Sequence, residues 1–227
     1  MRTMDIANFF GTFMQVSRNA LTARNGNAAE RHLCNRPEVK QRLETYFGKA
    51  ISTLELVPGK KKSDVTVLFE DSSVVRIQNK EGGGNKHRGW SADRRRVDLM
   101  PVSEAGKELL SIVCLKKEGP RPSEVPVPST LVRELLLGTE PDFMPAYFTH
   151  TKFDRDTGEL LHLSIAPAET VVSAIKPYEF LTDKRTCVHI APGMYLQRKG
   201  GGVSDSAPDD IQLKLVKFPD GVMMPLM

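Results

Sequence analysis

Three features are missing from this sequence, and each absence excludes a class of protein. No apolar run approaches the roughly 18 residues that a membrane-spanning helix needs. Residues 1–20 lack the apolar core of a secretory signal peptide and already carry an acid at Asp5. The three cysteines, Cys34, Cys114 and Cys187, are odd in number and far apart, which disfavours a disulfide framework or a zinc site. We therefore expect a cytoplasmic protein with no membrane partner and with thiols kept reduced.

Length and composition are those of an ordinary globular protein. The chain has 227 residues, of which 40% are hydrophobic and 26% are charged, enough to form a core without covalent cross-links. We predict one domain over residues 1–227. Its N-terminal half ends near residue 118 and its C-terminal half begins near residue 129. The intervening stretch, GPRPSEVPVP, holds four prolines and should lack regular structure.

Positive charge is concentrated in one segment. Between Arg76 and Arg96 there are seven Lys and Arg residues against two acids, Glu81 and Asp93, whereas the whole chain has a net charge of only +4. A focused basic segment favours a polyanionic partner such as DNA. A solvated loop is the alternative interpretation.

A β-hairpin is predicted immediately before and within this basic segment. Two runs rich in β-branched residues, residues 65–69 and 74–80, are separated by the polar turn EDSS. The alternation of strand side chains places Arg76, Gln78 and Lys80 on one face, opposite Val75 and Ile77.

Candidate catalytic residues lie on that face. Asp64 opens the first strand, so its carboxylate can lie near Gln78 and Lys80. A carboxylate, an amide oxygen and an ammonium group suit Mg²⁺-assisted hydrolysis of a phosphodiester, with Asp64 and Gln78 as metal ligands. The alternative is the solvent-facing side of an antiparallel sheet, and this stretch alone favours that alternative.

Glu30 is a further candidate acid. A helix is predicted to start near Ala28 after the turn Asn25–Asn27, which places Glu30 in its first turn. In the first interpretation, which the sequence alone favours, the Glu30 carboxylate interacts favourably with the helix dipole and has no further role. In the second, Glu30 faces the metal as an additional acid.

Other elements follow from periodicity and from Gly and Pro positions. The pattern predicts helices over residues 5–20, 38–48 and 131–137, a strand over residues 51–57, a helix leading into a strand over 103–115, strands within 144–163, a helix or strand over 168–175, and strands ending at Lys199 and spanning Ile211–Leu215.

Two further segments are typical of DNA contacts. The first follows the glycine-rich turn after Lys80 and mixes cations with the lone tryptophan, which suits phosphate contacts and base stacking; its residues are Lys86, Arg88, Trp90, Arg94, Arg95 and Arg96. The second is Gln197-Arg198-Lys199, followed by three glycines, in which Arg and Gln are good readers of base edges. The alternatives to DNA contacts are a core position for Trp90 and, for the second segment, a cationic strand end with no binding role.

Three segments together resemble one family, the HinP/MspI group of type II restriction endonucleases, and most strongly its GCGC-cutting branch. Ser63-Asp64 with Gln78-Asn79-Lys80 resembles an SD…QxK variant of the PD-(D/E)xK nuclease motif. Arg88-Gly89-Trp90 with Asp93-Arg94 resembles the RGF…DK segment that follows it. LQRKGG at residues 196–201 with Ile211–Lys214 resembles a C-terminal QRKGG…LQxK element.

The resemblance implies a restriction-endonuclease-like α/β core, a mixed central β-sheet flanked by helices. It also implies Mg²⁺ as cofactor and double-stranded DNA as substrate, cut within a short GC-rich palindrome to leave 5′-phosphate and 3′-hydroxyl ends. Carried over, Asp64 and Gln78 hold the metal, Lys80 is the catalytic lysine, and Asp93-Arg94 and Gln197–Lys199 belong to the DNA contacts. Ser91-Ala92 departs from the family pattern, which leaves the recognition sequence open.

The same resemblance bears on partners and origin. It implies a prokaryotic or viral source and a cognate DNA methyltransferase as genetic neighbour, with monomer and homodimer both open. A structure-specific or repair nuclease of the same fold is one alternative function. A non-catalytic DNA-binding module is another, because the neutral Gln78 binds Mg²⁺ less strongly than a carboxylate.

Overall fold

The computed structural model describes residues 29–58, 61–82, 90–114, 122–154, 156–184, 187–199 and 210–226. Within these ranges the description covers the backbone alone for residues 90–94, 114, 122, 183–184, 198–199 and 210. The predicted helix over residues 5–20, the three glycines after Lys199 and the DNA-contact candidates Lys86 and Arg88 lie outside the described residues.

Five helices and eleven strands make up the described part of the chain. The helices are residues 29–35 (α1), Pro37–Phe47 (α2), Glu104–Cys114 (α3), Leu131–Leu137 (α4) and Ala168–Ala174 (α5). The strands are Ile51–Leu56 (β1), Val65–Phe69 (β2), Val74–Glu81 (β3), Trp90–Arg96 (β4), Tyr147–Phe153 (β5), Leu160–Pro167 (β6), Thr182–Lys184 (β7), Cys187–Ala191 (β8), Met194–Lys199 (β9), Asp210–Leu215 (β10) and Met224–Pro225 (β11).

A six-stranded mixed sheet carries the predicted catalytic hairpin. Its strand order is β1-β2-β3-β5-β6-β11. All neighbours run antiparallel except β3 and β5, which are parallel. One face packs on α1 and α2 through a core that includes Leu33, Leu43, Val67 and Ile77. The predicted mixed α/β architecture, a mixed sheet flanked by helices, is confirmed.

A second sheet has five strands in the order β4-β10-β9-β8-β7, all antiparallel. Its inner face shares a core with α3, α4 and α5, and Phe148 of β5 belongs to the same core. Strand β4 comes from the N-terminal half, whereas β5, β6 and β11 bring C-terminal residues into the six-stranded sheet. The two predicted halves therefore exchange strands, and the single-domain organisation stays a prediction.

The predicted hairpin is confirmed, including which residues share a face. Val65 pairs with Ile77 and Thr66 with Arg76, and the turn places Ser72 at φ 65°. In that turn the Asp71 carboxylate accepts the backbone N–H of Ser73 at 2.9 Å. The short polar turn thus supplies the hydrogen bonds that let the strands reverse direction.

Glycine ends two helices where the sequence predicts it. Gly48 follows α2 at φ 64°, and Gly138 follows α4 at φ 82°. The N–H of Lys49, just after Gly48, donates to the carbonyl of Glu44 at 3.3 Å, and the N–H of Gly138 donates to the carbonyl of Glu134 at 2.7 Å.

Two sequence predictions need correction. Helix α3 continues to Cys114, where a change from helix to strand was expected, because Leu109, Leu110 and Val113 are buried at helical spacing. The end of the basic segment, for which a solvated loop was the alternative interpretation, forms strand β4 at Trp90–Arg96. The proline-rich stretch contains a 3₁₀ turn at Pro122–Glu124 and a bridge between Pro126 and Phe180. In addition, residues 168–175, left open between helix and strand, form helix α5.

No helix within the described ranges is both long enough and apolar enough to cross a membrane.

Candidate active site

The candidate site is built where β2 begins and β3 approaches its end. The backbone N–H of Asp64 donates to the carbonyl of Ile77 at 2.8 Å. The carboxylate Oδ2 of Asp64 accepts the backbone N–H of Asn79 at 2.8 Å. Just upstream, the hydroxyl of Ser63 donates to the carbonyl of Phe143 at 2.8 Å. These bonds fix both the backbone and the carboxylate of Asp64 against the neighbouring strand.

Lys80 lies beside this carboxylate. Its Nζ is 4.0 Å from Asp64 Oδ2, and the two side chains are only 15% and 18% exposed. At this distance the charges attract through a partly desolvated space, where electrostatic interactions are stronger than in open water. A separation of 4.0 Å is also longer than a tight charge-assisted hydrogen bond, so the ammonium can turn its donors towards a third group.

Gln78 is the least expected part of the site. It is 4% exposed, and the register of the hairpin places it level with Asp64 on the same face. Among the described residues, none forms a hydrogen bond with its carboxamide. An unbonded buried amide costs about 1–3 kcal/mol, so an oxygen kept in this state suits a ligand that is bound during function.

Glu30 of α1 reaches the same region. Burial raises the pKa of the Glu30 carboxyl, the Asp64 carboxylate raises it further, and the cations of Lys80 and Arg31 oppose the rise. The mutual influence of Glu30, Asp64 and Lys80 places the three side chains in one electrostatic cluster.

A second polar layer supports β3 from the opposite face of the sheet. Asn79 Oδ1 accepts hydrogen bonds from the hydroxyls of Thr149 and Thr151 at 2.9 and 3.0 Å. Both threonines are fully buried, and Asn79 is 6% exposed. The side chain of Asn79 thus ties β3 to β5, while its N–H holds Asp64.

Sequence reasoning missed His150. It pairs directly with Lys80 across the parallel strands β3 and β5, so the two residues lie on the same face. Its ring lies 5.3 Å from that of His162, and His162 Nε2 is 3.2 Å from Ser164 Oγ. Since this neighbourhood depends on a non-local parallel pairing, no local motif could have indicated it.

The donor set suits a hard cation. Asp64, Glu30 and Gln78 offer carboxylate and amide oxygens, which are the ligands that Mg²⁺ prefers together with water. Within the described ranges, no group of three or more His, Cys, Asp or Glu side chains is arranged to hold a metal ion. A metal at this site would therefore depend on the amide oxygen of Gln78, whose unbonded state fits that role.

The described DNA-contact candidates, Trp90, Asp93–Arg96 and Gln197–Lys199, belong to strands β4 and β9 of the second sheet. Arg95 is half-buried, and exposed Arg96 pairs with Asp98 at 3.0 Å. The register aligns Arg94 with Gln212, and Gln212 with Gln197, in one row across β4, β10 and β9. The side chains of Trp90, Asp93, Arg94, Arg198 and Lys199 lie outside the described residues.

Comparison with known proteins gives a likeness of overall structure. No protein-family model matches the chain, and no curated protein matches it. The chain is similar to the crystal structure of restriction endonuclease MspI in complex with its cognate DNA, with a TM-score of 0.43, 15% sequence identity and 81% of each chain covered. The roles of individual residues rest on the geometry of this chain.

Proposed function

We propose that this protein is a Mg²⁺-dependent endonuclease that cuts both strands of duplex DNA within a short GC-rich palindrome, as a type II restriction enzyme does. The observation that carries the proposal is the cluster at the start of β2. There Asp64 is held by the N–H of Asn79, lies 4.0 Å from Lys80 Nζ and stands level with the buried, unbonded Gln78.

The metal-binding part of the proposal uses oxygen donors only. Asp64 and Gln78 hold Mg²⁺, and Glu30 adds a second carboxylate from α1. When bound, the cation supplies charge neutralisation of the phosphate and a more acidic water. The raised pKa of the Glu30 carboxyl, caused first by burial and then by the Asp64 carboxylate, supports this arrangement, because a cation would stabilise two carboxylates held close together.

Lys80 acts on the phosphate itself. Its ammonium, already turned towards the Asp64 carboxylate, donates to a non-bridging phosphate oxygen and opposes the negative charge that develops during attack. A water oxygen forms the new bond to phosphorus in line with the departing 3′-oxygen. The products carry a 5′-phosphate and, after the 3′-oxygen takes up a proton, a 3′-hydroxyl.

Recognition is assigned to the second sheet. Gln197, Arg198 and Lys199 at the end of β9, together with Arg94 of β4, contact base edges or nearby phosphates. The alignment of Arg94, Gln212 and Gln197 across three strands supports a continuous reading surface. Lys86, Arg88, Trp90, Asp93, Arg95 and Arg96 would add backbone and stacking contacts. An arginine that is bidentate to guanine discriminates by about 1–3 kcal/mol.

The biological setting is part of the same proposal. Such an enzyme would work in the cytoplasm of a prokaryotic or viral host beside a cognate DNA methyltransferase, as a monomer or a homodimer. Gln78 also supports a second candidate, a DNA-binding module that does not cut, because an amide replaces the usual acid at a metal-binding position.

Digestion of plasmid DNA with Mg²⁺ tests the proposal. Discrete fragments that share one terminal sequence, and that disappear when a chelator removes the metal, are the expected result. Nicks confined to branched or damaged DNA would indicate a repair nuclease instead. A gel shift with no cleavage over a range of Mg²⁺ and Mn²⁺ concentrations would indicate the binding module and reject the endonuclease.

A further inference from the structure

A small cationic pocket lies just upstream of the candidate active site. The described residues lining it are Lys61, Lys62, Arg95, Pro101, Leu137, Gly138, Glu140 and Phe143, and it is partly open to solvent. Three of these residues are cations and one is an acid. The pocket therefore has an excess of positive charge and favours an anion.

The cations come from two parts of the fold, and the two lysines, in the chain segment before β2, are held in place by specific contacts. Lys61 pairs with Glu140 at 2.7 Å, and its Nζ lies 4.2 Å from the centre of the Phe143 ring. Lys62 is only 4% exposed, and its Nζ donates to the carbonyl of Leu135 in α4. Arg95 is contributed by β4 of the second sheet. Side chains anchored in this way form a site with little conformational entropy left to lose on binding.

The position of the pocket, close to Asp64 along the chain, favours a DNA phosphate as its ligand. Lys62 precedes Asp64 by two residues, which spans at most about 7 Å along an extended chain. Phosphates of one DNA strand recur about every 3.4 Å of helix axis. A strand whose scissile phosphate lies at Asp64 and Lys80 therefore brings a neighbouring phosphate of the same strand to Lys61, Lys62 and Arg95.

We infer that this pocket binds a DNA backbone phosphate about one or two nucleotides from the scissile phosphate. This inference rests on the proposed endonuclease function and names a contact on the catalytic sheet itself. The contact would fix the strand in register with Asp64. It would also couple the catalytic sheet to β4, because Arg95 and the two lysines would share one phosphate group.

The test uses two substitutions at one ion pair, one that removes a positive charge and one that removes a negative charge. Lys61→Gln removes a cation from the pocket and should weaken binding to duplex DNA several-fold, with a salt slope shallower by about 0.9 for the lost phosphate contact. Glu140→Gln removes the competing acid and should tighten binding. Fluorescence anisotropy with Ca²⁺ in place of Mg²⁺, at several salt concentrations, measures both without cleavage.

A matched control exists on the same sheet. Lys49 and Asp71 also form an exposed ion pair at 2.7 Å, at the turn end of the hairpin. Lys49→Gln and Asp71→Asn change the net charge by the same amounts as the pocket variants and should leave the salt slope unchanged. Equal effects at the two pairs, or no effect at either, would overturn the inference.

Duplexes with single neutral methylphosphonates then locate the contact. One position flanking the cut should weaken binding of the wild type but not of Lys61→Gln. If no methylphosphonate position weakens the wild type selectively, or if the pocket binds only inorganic phosphate, then the pocket does not hold DNA. Failure of the endonuclease proposal looks different, since it appears as a lack of cleavage by the wild-type protein in Mg²⁺.

Discussion

Asp64 is oriented by the backbone of Asn79, because its carboxylate accepts the Asn79 N–H at 2.8 Å. The bond joins the first strand of the hairpin to the second at the position where Gln78 and Lys80 flank Asn79. The candidate ligands and the lysine are thus fixed relative to each other by strand pairing rather than by flexible loops.

Asp64→Ala and Lys80→Ala should each lower the cleavage rate at least about 100-fold, the usual cost of removing a preorganised charge from the reacting phosphate. Duplex binding in Ca²⁺ should change little for Lys80→Ala. Single-turnover cleavage and anisotropy measure the two properties separately. Lys49→Ala, at the far end of the hairpin, is the control. A near wild-type rate in either site variant would show that the site lies elsewhere.

Gln78→Glu should retain metal binding and change the cleavage rate, since a carboxylate keeps the ligand oxygen and adds negative charge beside Asp64. Gln78→Leu has a similar volume but no oxygen, so it should weaken metal binding. Calorimetric titration with Mg²⁺ compares the three proteins. Equal affinity in wild type and Gln78→Leu would remove Gln78 from the ligand set.

Glu30→Gln should slow cleavage more than it lowers stability, because it removes a carboxylate from the cluster with Asp64 and Lys80. Relief of repulsion from Asp64 should leave the free energy of unfolding unchanged or slightly higher. Urea denaturation and single-turnover cleavage are measured on the same samples. An unchanged rate would return Glu30 to the role of a helix-dipole acid.

Asn79→Ala should lower the free energy of unfolding by about 2–4 kcal/mol, because the buried hydroxyls of Thr149 and Thr151 lose their acceptor. The triple variant Asn79→Leu, Thr149→Val, Thr151→Val removes all of these polar groups and should recover most of that loss. Denaturation in urea tests both. A triple variant no more stable than Asn79→Ala would mean that packing, rather than the hydrogen bonds, sets the cost.

Glu134 should make folding stability depend on pH in the acid range. Burial raises the pKa of Glu134, but hydrogen bonds from the backbone and hydroxyl of Ser103 outweigh it, so the folded-state pKa lies below its ordinary value. The stabilisation is present above the pKa of the unfolded chain and is lost as pH falls through the lower folded pKa.

Glu134→Gln should therefore cost about 1 kcal/mol near neutral pH and progressively less below pH of about 4. The exposed acid Glu169, paired with Arg133, serves as the control through Glu169→Gln. Thermal melts from neutral to acid pH provide the comparison. Parallel stability curves for wild type and Glu134→Gln would contradict the assignment.

Local patterns predicted the elements that depend on local contacts. The hairpin follows from alternating β-branched residues on either side of a polar turn, and the ends of α2 and α4 follow from Gly48 and Gly138. Asp64, Gln78 and Lys80 could be placed on one face because the hairpin itself fixes their register. For Glu30 the sequence left two alternatives open, because the position of α1 relative to the sheet is set by tertiary packing.

Non-local pairing explains what the sequence did not show. The burial of Gln78 and Asn79 depends on β5, which lies beside β3 in the sheet but far along the chain. The placement of His150 beside Lys80 has the same origin. The charged run of β4 becomes a strand because β10 provides hydrogen-bond partners for one edge of it, a tertiary effect that overrides its weak β-propensity.

The pairing of β4 with β10 also sets an order of events during synthesis. Strands β1, β2, β3, β5 and β6 are complete once Pro167 has emerged from the ribosome, so the catalytic sheet can begin to form early. Strand β4 waits for Asp210–Leu215, which is synthesised much later. A cell that makes this protein therefore holds nascent chains in which the strands of the first sheet are present while the second sheet is still incomplete.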